Sequence, residues 1–272
     1  MKAKLSVLGV RGSFPVADRQ FMEYGGNTSC ISLEQGHGED VLCFDAGSGL
    51  YSLCGRLNGV KRLHILISHV HIDHILGLIS LSALQVPEIH LYGGDMGEVG
   101  KGGFQKQLET VIGRPYWPVA LGGMGRIHFH EICGSGPFRL AGAGGAAGIR
   151  TLHGNHPGGS LLYRAELGEV SVTYALDCEM DDAMFSGLAE FAAGSSLLVW
   201  DANFVQADKR PGWGHSTWEE GLALGRAAGA ERVLMTHYSR EYSDVFLQEQ
   251  ELAAKEQDSA CLFAREGMVI EL

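Results

Sequence analysis

The chain has 272 residues, 45% hydrophobic and 19% charged, and its 21 basic against 32 acidic residues give a formal net charge of −11. That length suits one large domain or two small ones around a sizeable core. So acidic a chain repels phosphate backbones and argues against a long nucleic acid as partner, although bound divalent metals would offset the charge locally.

The chain starts with charge, MKAKLSVLGVRGS, but its apolar run is too short for a signal peptide. No stretch approaches the ~18 apolar residues of a membrane helix. The expected location is cytoplasmic, with no membrane partner. KLSVLGV, CISLE, VLCFDAG, LHILISH and EIHLYGG follow as apolar, β-branched runs bounded by Gly, Asp and Asn, and they read as strands. HILGLISLSALQV (74–86) carries helical spacing. From about Gly93 to Gly148 the character changes, with sixteen glycines, the cluster RPYWP, the run AGAGGAAG, and five basic against four acidic residues. This predicts a loop-rich insertion or lid within a single domain over 1–272. STWEEGLALGRAAGA (216–230) reads as a helix capped by Ser216 or Thr217, with Glu219 or Glu220 in its first turn. The six cysteines form no C-x-x-C pair and read as reduced thiols.

An internal echo runs through these elements. HILISH (64–69) and RVLMTH (232–237) are apolar strands ending in hydroxyl-His, and VLCFDAG (41–47) and SLLVWDAN (196–203) end in Asp-Ala. Each Asp-Ala strand precedes its hydroxyl-His strand. Two related α/β halves would bring these ends to one site.

The densest chemistry is His69-Val-His-Ile-Asp-His74, with three imidazoles and a carboxylate in six residues after an apolar strand. In extended backbone His69 and His71 point the same way, and Asp73 and His74 fall at the turn into the next helix. One ion cannot easily use all four groups at this spacing, but two adjacent ions can. Strand ends offer His156 in NHPGGS, Asp177 in TYALDCE and His237 in LMTHYS. His153 competes with His156, which the HPGG turn favours. Five His and two Asp suffice for two ions with three ligands each and one shared carboxylate, leaving positions open for water. Asp45 in FDAGSG is a candidate to hold the far nitrogen of a ligating histidine, or a plain turn residue.

HVHIDH, His156, Asp177 and His237, in this order, resemble the metallo-β-lactamase fold superfamily over nearly the whole chain. RGSFP, GGNTSC, DAGSGL, HPGGSLLYR and GHST followed by LMTHYSREY resemble its phosphodiesterase branch, which includes tRNA 3′-processing endonucleases and cyclic phosphodiesterases of the phosphonate pathway. The resemblance implies an α/β fold, a four-layer αββα sandwich with two metal ions at the edge between its sheets. It assigns His69, His71 and His156 to one ion, Asp73, His74 and His237 to the other, and Asp177 to both. Zinc is the first expectation, and nitrogen and oxygen ligands also suit manganese or iron.

Phosphodiester hydrolysis needs a nucleophile, charge neutralisation and a proton for the leaving alkoxide. Two bridged metals would supply hydroxide at neutral pH, and Asp73 would steer the attacking water. His215 in GWGHST lies outside the counted ligands. The resemblance implies that it donates the proton or stabilises charge, backed by a carboxylate, for which Asp201 in WDANF is the candidate. The alternative is a residue at a helix start. His128 and His130 in RIHFHEI alternate on one strand face, expected to be solvated. His37, His64 and His90 read as structural or exposed. Arg11, Asn27 and Arg240 are equally phosphate contacts or turn and surface residues.

The leading expectation is a dinuclear metal-dependent hydrolase acting on a small phosphodiester, cyclic ones included. The rival is a tRNA-processing endonuclease, disfavoured by the near-neutral 93–148 segment in place of a basic arm. Other readings are a metal-holding sensor without turnover, and thioester or lactone hydrolysis. A homo-oligomer stays open.

Overall fold

The computed structural model describes residues 3–36, 38–94, 103–133, 136–141 and 148–272. Two seven-stranded mixed sheets face each other. The first half of the chain supplies β1 (Ala3–Gly9), β2 (Cys30–Gln35), β3 (Asp40–Phe44), β4 (Arg62–Leu66), β5 (Glu88–Gly93) and β6 (Ile127–Glu131). The second sheet holds β7 (Phe138–Arg139), β8 (Gly148–Gly154), β9 (Ser160–Leu167), β10 (Val170–Ala175), β11 (Leu197–Asp201), β12 (Val233–Thr236) and β13 (Cys261–Phe263). The last strand, β14 (Val269–Glu271), returns to the first sheet beside β1.

The period of two in each strand builds the layers. In β3, Leu42 and Phe44 join the core between the sheets, while Val41 and Cys43 join a second core on the outer face. On that outer face lie α1 (Ile72–Ile75), a 3₁₀ segment (Leu76–Ala83) and α2 (Gly103–Val111). The second sheet is covered by α3 (Asp182–Phe191), α4 (Trp218–Ala228) and α5 (Asp244–Gln257), giving the αββα sandwich. Thr217 caps α4 in a reciprocal box with Glu220, and Gly229 closes it in the left-handed region at φ 61°. No helix among the described residues is long and apolar enough to cross a membrane.

The echo has a spatial counterpart. β3 lies parallel to β4 in one sheet, and β11 lies parallel to β12 in the other. Parallel neighbours carry their C-terminal ends to the same sheet edge.

Three expectations change. Residues 74–86 form one α turn and then 3₁₀ structure, because Ala46 N donates to His74 O and Gly77 N donates to Ala46 O. Those cross-bonds take groups that an α-helical ladder needs. The Gly93–Gly148 segment is more than loop, since it supplies an edge strand to each sheet, β6 and β7, and α2. Much of AGAGGAAG, and also His37, lie outside the described residues. The face of His128 and His130 is not simply solvated. Pairing with β5 stacks His128 and His130 on buried His90 at ring distances of 4.9 and 5.2 Å, and His130 Nε2 lies 2.9 Å from His90 Nδ1.

Candidate metal centre

The segments that follow β4, β8, β10, β11 and β12 converge on one edge of the sandwich. The donor atoms form two sets. In the first, His71 Nδ1 lies 2.8 Å from His69 Nε2 and 3.1 Å from His156 Nε2. Asp177 Oδ1 stands 4.0 and 3.7 Å from Nε2 of His69 and His156. In the second, His74 Nε2 lies 3.2 Å from His237 Nε2, and Asp73 Oδ2 lies 3.3 and 3.4 Å from those two nitrogens. Asp177 Oδ2 completes this set at 3.0 Å from His74 and 3.2 Å from His237. The structure therefore brings all seven sequence-derived candidates together, with the two oxygens of Asp177 reaching different sets. His153 lies on β8, and no donor group among the described residues includes it.

The residues fit divalent ions. Asp177 Oδ2 is buried and faces only imidazole nitrogens, those of His74 and His237 at 3.0 and 3.2 Å. Lone pairs converging from three imidazoles cannot all be satisfied by shared protons, and cations between them remove the conflict. Nitrogen and oxygen donors without thiolate suit zinc, manganese and iron.

Electrostatics separates the sets. Burial and neighbouring imidazoles push His69 and His71 down, towards the neutral ring that ligation requires, and burial does the same to His156. Burial would also lower His74 and His237, but carboxylates outweigh it: Asp177, Asp73 and Asp45 hold His74 well above its ordinary value. Asp177, Asp201 and Asp73 bring His237 to about 10. Against the upward push of burial, neighbouring imidazoles keep Asp73 and Asp177 well below the usual carboxylate range.

A second layer orients these groups. Asp45, placed by the Asp-Ala turn after β3, lies 2.7 Å from His74 Nδ1 and accepts from Ser68 N, Ser68 Oγ and the Tyr174 hydroxyl. Its carboxylate sets the His74 tautomer and leaves Nε2 for the second set. Asp45→Asn is expected to weaken metal affinity about 10–100-fold. Competition with a chromophoric chelator measures it, and an unchanged affinity counts against the role.

Asp201 is the counterpart in the other sheet. Its Oδ2 lies 3.0 Å from His215 Nδ1, and its Oδ1 lies 3.4 Å from His237 Nδ1, so one buried carboxylate serves two imidazoles. Burial would lower His215, but Asp201 outweighs it and raises the imidazole above its ordinary value. His215 Nδ1 is also 3.6 Å from Asp177 Oδ1.

The backbone is bent to make this site. Among the described residues, the non-glycine positions with positive φ are Ser13, Asp45, Asp177 and His237, and all four touch the centre or its second layer. Such strain concentrates where side chains must be aimed. A Cβ on Gly12 would run into the His237 ring.

A cleft of about 530 Å³ opens over the centre, lined by His71, Asp73, His156, Asp177 and His215 together with Ser13, Ile72 and Trp213. None of the described residues of 93–148 lines it. A recess of about 80 Å³ beside it is lined by Asn203, Phe204, Arg210, Arg240 and Tyr242 and shares Ser13, Trp213 and His215. Arg240 is thus near the site. Arg11 is instead buried and spends its guanidinium on the carbonyls of Gly25, Ser239 and Tyr242, and Asn27 is bonded to Ser48 and Glu266.

Residues that sequence reasoning did not single out complete the frame. Ser13 N donates to Asp73 Oδ2 at 2.6 Å, and Asn203 Nδ2 donates to His237 O at 3.0 Å. Glu179 accepts from Gly212 N and Gly214 N. Ser13, Asn203 and Glu179 lie inside motifs already singled out, RGSFP, WDAN and DCE, and that adjacency was the available signal.

Known proteins resemble this chain in sequence and in fold. The protein described as "Probable metallo-hydrolase YhfI" from Bacillus subtilis is 25% identical over 246 residues, covering 86% of each chain. The crystal structure of B. subtilis YhfI superposes with a TM-score of 0.74 at 23% identity over 100% of this chain and 99% of that one. A Deinococcus radiodurans ribonuclease Z is 31% identical over 134 residues, 47% of this chain and only 40% of that relative. A diphosphatase of the PhnP family superposes with a TM-score of 0.68 at 18% identity, over 100% of this chain and 98% of that one. Residues 44–238, more than half of the chain, match the family described as the Beta-lactamase superfamily domain, and the chain belongs to that superfamily.

Proposed function

We propose that the protein is a dinuclear metal-dependent hydrolase that cleaves small phosphodiesters, cyclic ones included, with zinc as the first candidate ion. The observation that carries this reading is the pairing of two donor sets sharing Asp177 with His215, which lines the same cleft and is bonded to the buried Asp201. His69, His71, His156 and Asp177 would hold one ion, and Asp73, His74, His237 and Asp177 the other. When bound, such ions supply a nucleophile from water and neutralise phosphoryl oxygens.

The chain's own groups do the rest. Asp73, fixed by the Ser13 amide, keeps one carboxylate oxygen on the second set and turns the other to hold the attacking water. His215 Nδ1 donates to Asp201, which leaves Nε2–H to protonate the departing oxygen. The cleft and its recess take up the rest of a small substrate.

The test is a panel of metal-loaded assays with an aryl phosphodiester, 2′,3′-cyclic nucleotides, a ribose cyclic phosphate and a precursor tRNA. Chelation is expected to abolish turnover of the aryl diester, and zinc or manganese to restore it. Cyclic substrates should be cut at moderate salt. Ribonuclease action is the second reading, favoured by the names of relatives that match this chain. Efficient tRNA cleavage that falls steeply with salt, without turnover of cyclic diesters, would establish it instead.

A further inference from the structure

The rim of the cleft holds a feature that neither metal binding nor proton transfer explains. Trp213 is 56% exposed and Ile72 52% exposed, and both line the cleft over the donor atoms. A solvated loop ordinarily presents polar groups at such a rim, and two large apolar side chains cost hydration there.

The backbone carrying Trp213 is pinned. Gly212 N and Gly214 N both donate to the Glu179 carboxylate at 2.8 to 2.9 Å, and Gly214 O lies 2.9 Å from His156 Nδ1. Gly212 and Gly214 have φ of 81° and 77°, so the turn on each side of Trp213 suits glycine. A Cβ on Gly214 would strike the His156 ring. The Arg210 guanidinium stands 4.8 Å from the Trp213 ring centre and 5.9 Å from that of Phe204. The backbone on both sides of the indole is thus fixed, directly before Gly214, whose carbonyl meets the candidate ligand His156, and two residues before His215, while most of the ring's surface stays open. Anchored through its backbone, open and two residues from His215, it has the properties of a stacking platform rather than of a core residue.

We propose that Trp213, with Ile72 lining the same cleft, forms a subsite for a planar ring carried by the substrate, so that the preferred phosphodiesters bear a heteroaromatic group such as a nucleobase. The side chain acts in specificity and binding. The ring stacks while the phosphodiester lies over the donor atoms. This rests on the phosphodiesterase reading, and the experiment separates the two.

Two diesters with the same leaving group, thymidine 5′-(4-nitrophenyl phosphate) and ethyl 4-nitrophenyl phosphate, are compared on wild type, Trp213→Ala and Trp213→Phe, with metal content matched. In Trp213→Ala the loss of kcat/KM on the thymidine diester is expected to exceed that on the ethyl diester by about 5–150-fold, mainly through KM, with Trp213→Phe recovering most of it. Equal losses on both diesters overturn the subsite and leave the phosphodiesterase reading standing. Equilibrium binding of adenosine monophosphate, followed by indole quenching and by calorimetry, needs no turnover. Binding at least about 5-fold weaker in Trp213→Ala supports the subsite even if neither diester is cleaved, and an unchanged affinity overturns it.

Discussion

Asp177→Ala is expected to empty both ion positions and to lower turnover of an aryl phosphodiester by about three orders of magnitude or more. Its two oxygens reach different donor sets, at 3.7 Å from His156 Nε2 on one side and 3.0 Å from His74 Nε2 on the other. Among the described residues, no other carboxylate belongs to both. Removing it leaves two clusters of imidazoles without their shared anion, in a buried site where water restores little of the lost stabilisation. Metal content by mass spectrometry and kcat/KM on the same preparation measure the effect, and Asp177→Asn separates charge from shape. Two ions retained with activity within tenfold of wild type would refute the shared role.

His215→Ala is expected to do the reverse to metal content. Both ions stay, while turnover of diesters with poor, alkoxide leaving groups falls by about 10²–10⁴-fold, and that of a 4-nitrophenyl diester falls far less. A nitrophenolate departs without a proton, whereas an alkoxide needs one, so the gap between the two losses reports the acid. Geometry allows the opposing outcome, because His215 stands within ligand distance of the His156–Asp177 and Asp201–His237 pairs. Loss of an ion in His215→Ala would make this residue a ligand and sink the acid assignment. Asp201→Asn should reproduce part of the defect. Its effect on metal content should exceed that of His215→Ala, because Asp201 also faces His237 Nδ1 at 3.4 Å.

Membership of the cluster was legible along the chain because local rules carry it. The dense HVHIDH run, Asp177 and His237 just beyond apolar runs, and His156 just before one, lie where strand ends leave a sandwich. The buried strand pattern that marks those ends depends only on near neighbours. The Thr217–Glu220 box is local in the same way, three residues across. The echo of Asp-Ala and hydroxyl-His strands was visible too, and in the structure the strands of each pair lie parallel.

What only the tertiary structure decided are contacts between residues far apart in sequence. The resemblance implied a shared Asp177 and an Asp201 behind His215, but the distances that let Asp177 reach both sets, and the approach of Asp201 to His237 as well, depend on the angle at which the two sheets meet. No spacing encodes that angle. The bond from Ser13 N to Asp73 spans 60 residues, and the Glu179 grip on the Trp213 loop spans 33 and 35. The same physics explains where local reading failed. Residues 74–86 have helical spacing, but cross-bonds to Ala46 replace the α ladder, and the glycine-rich middle gains strands because open sheet edges supply hydrogen-bond partners. Side-chain type and local period sufficed to name the atoms that converge. The distances that group them into two sets, and that set Asp201 between His215 and His237, depended on long-range packing.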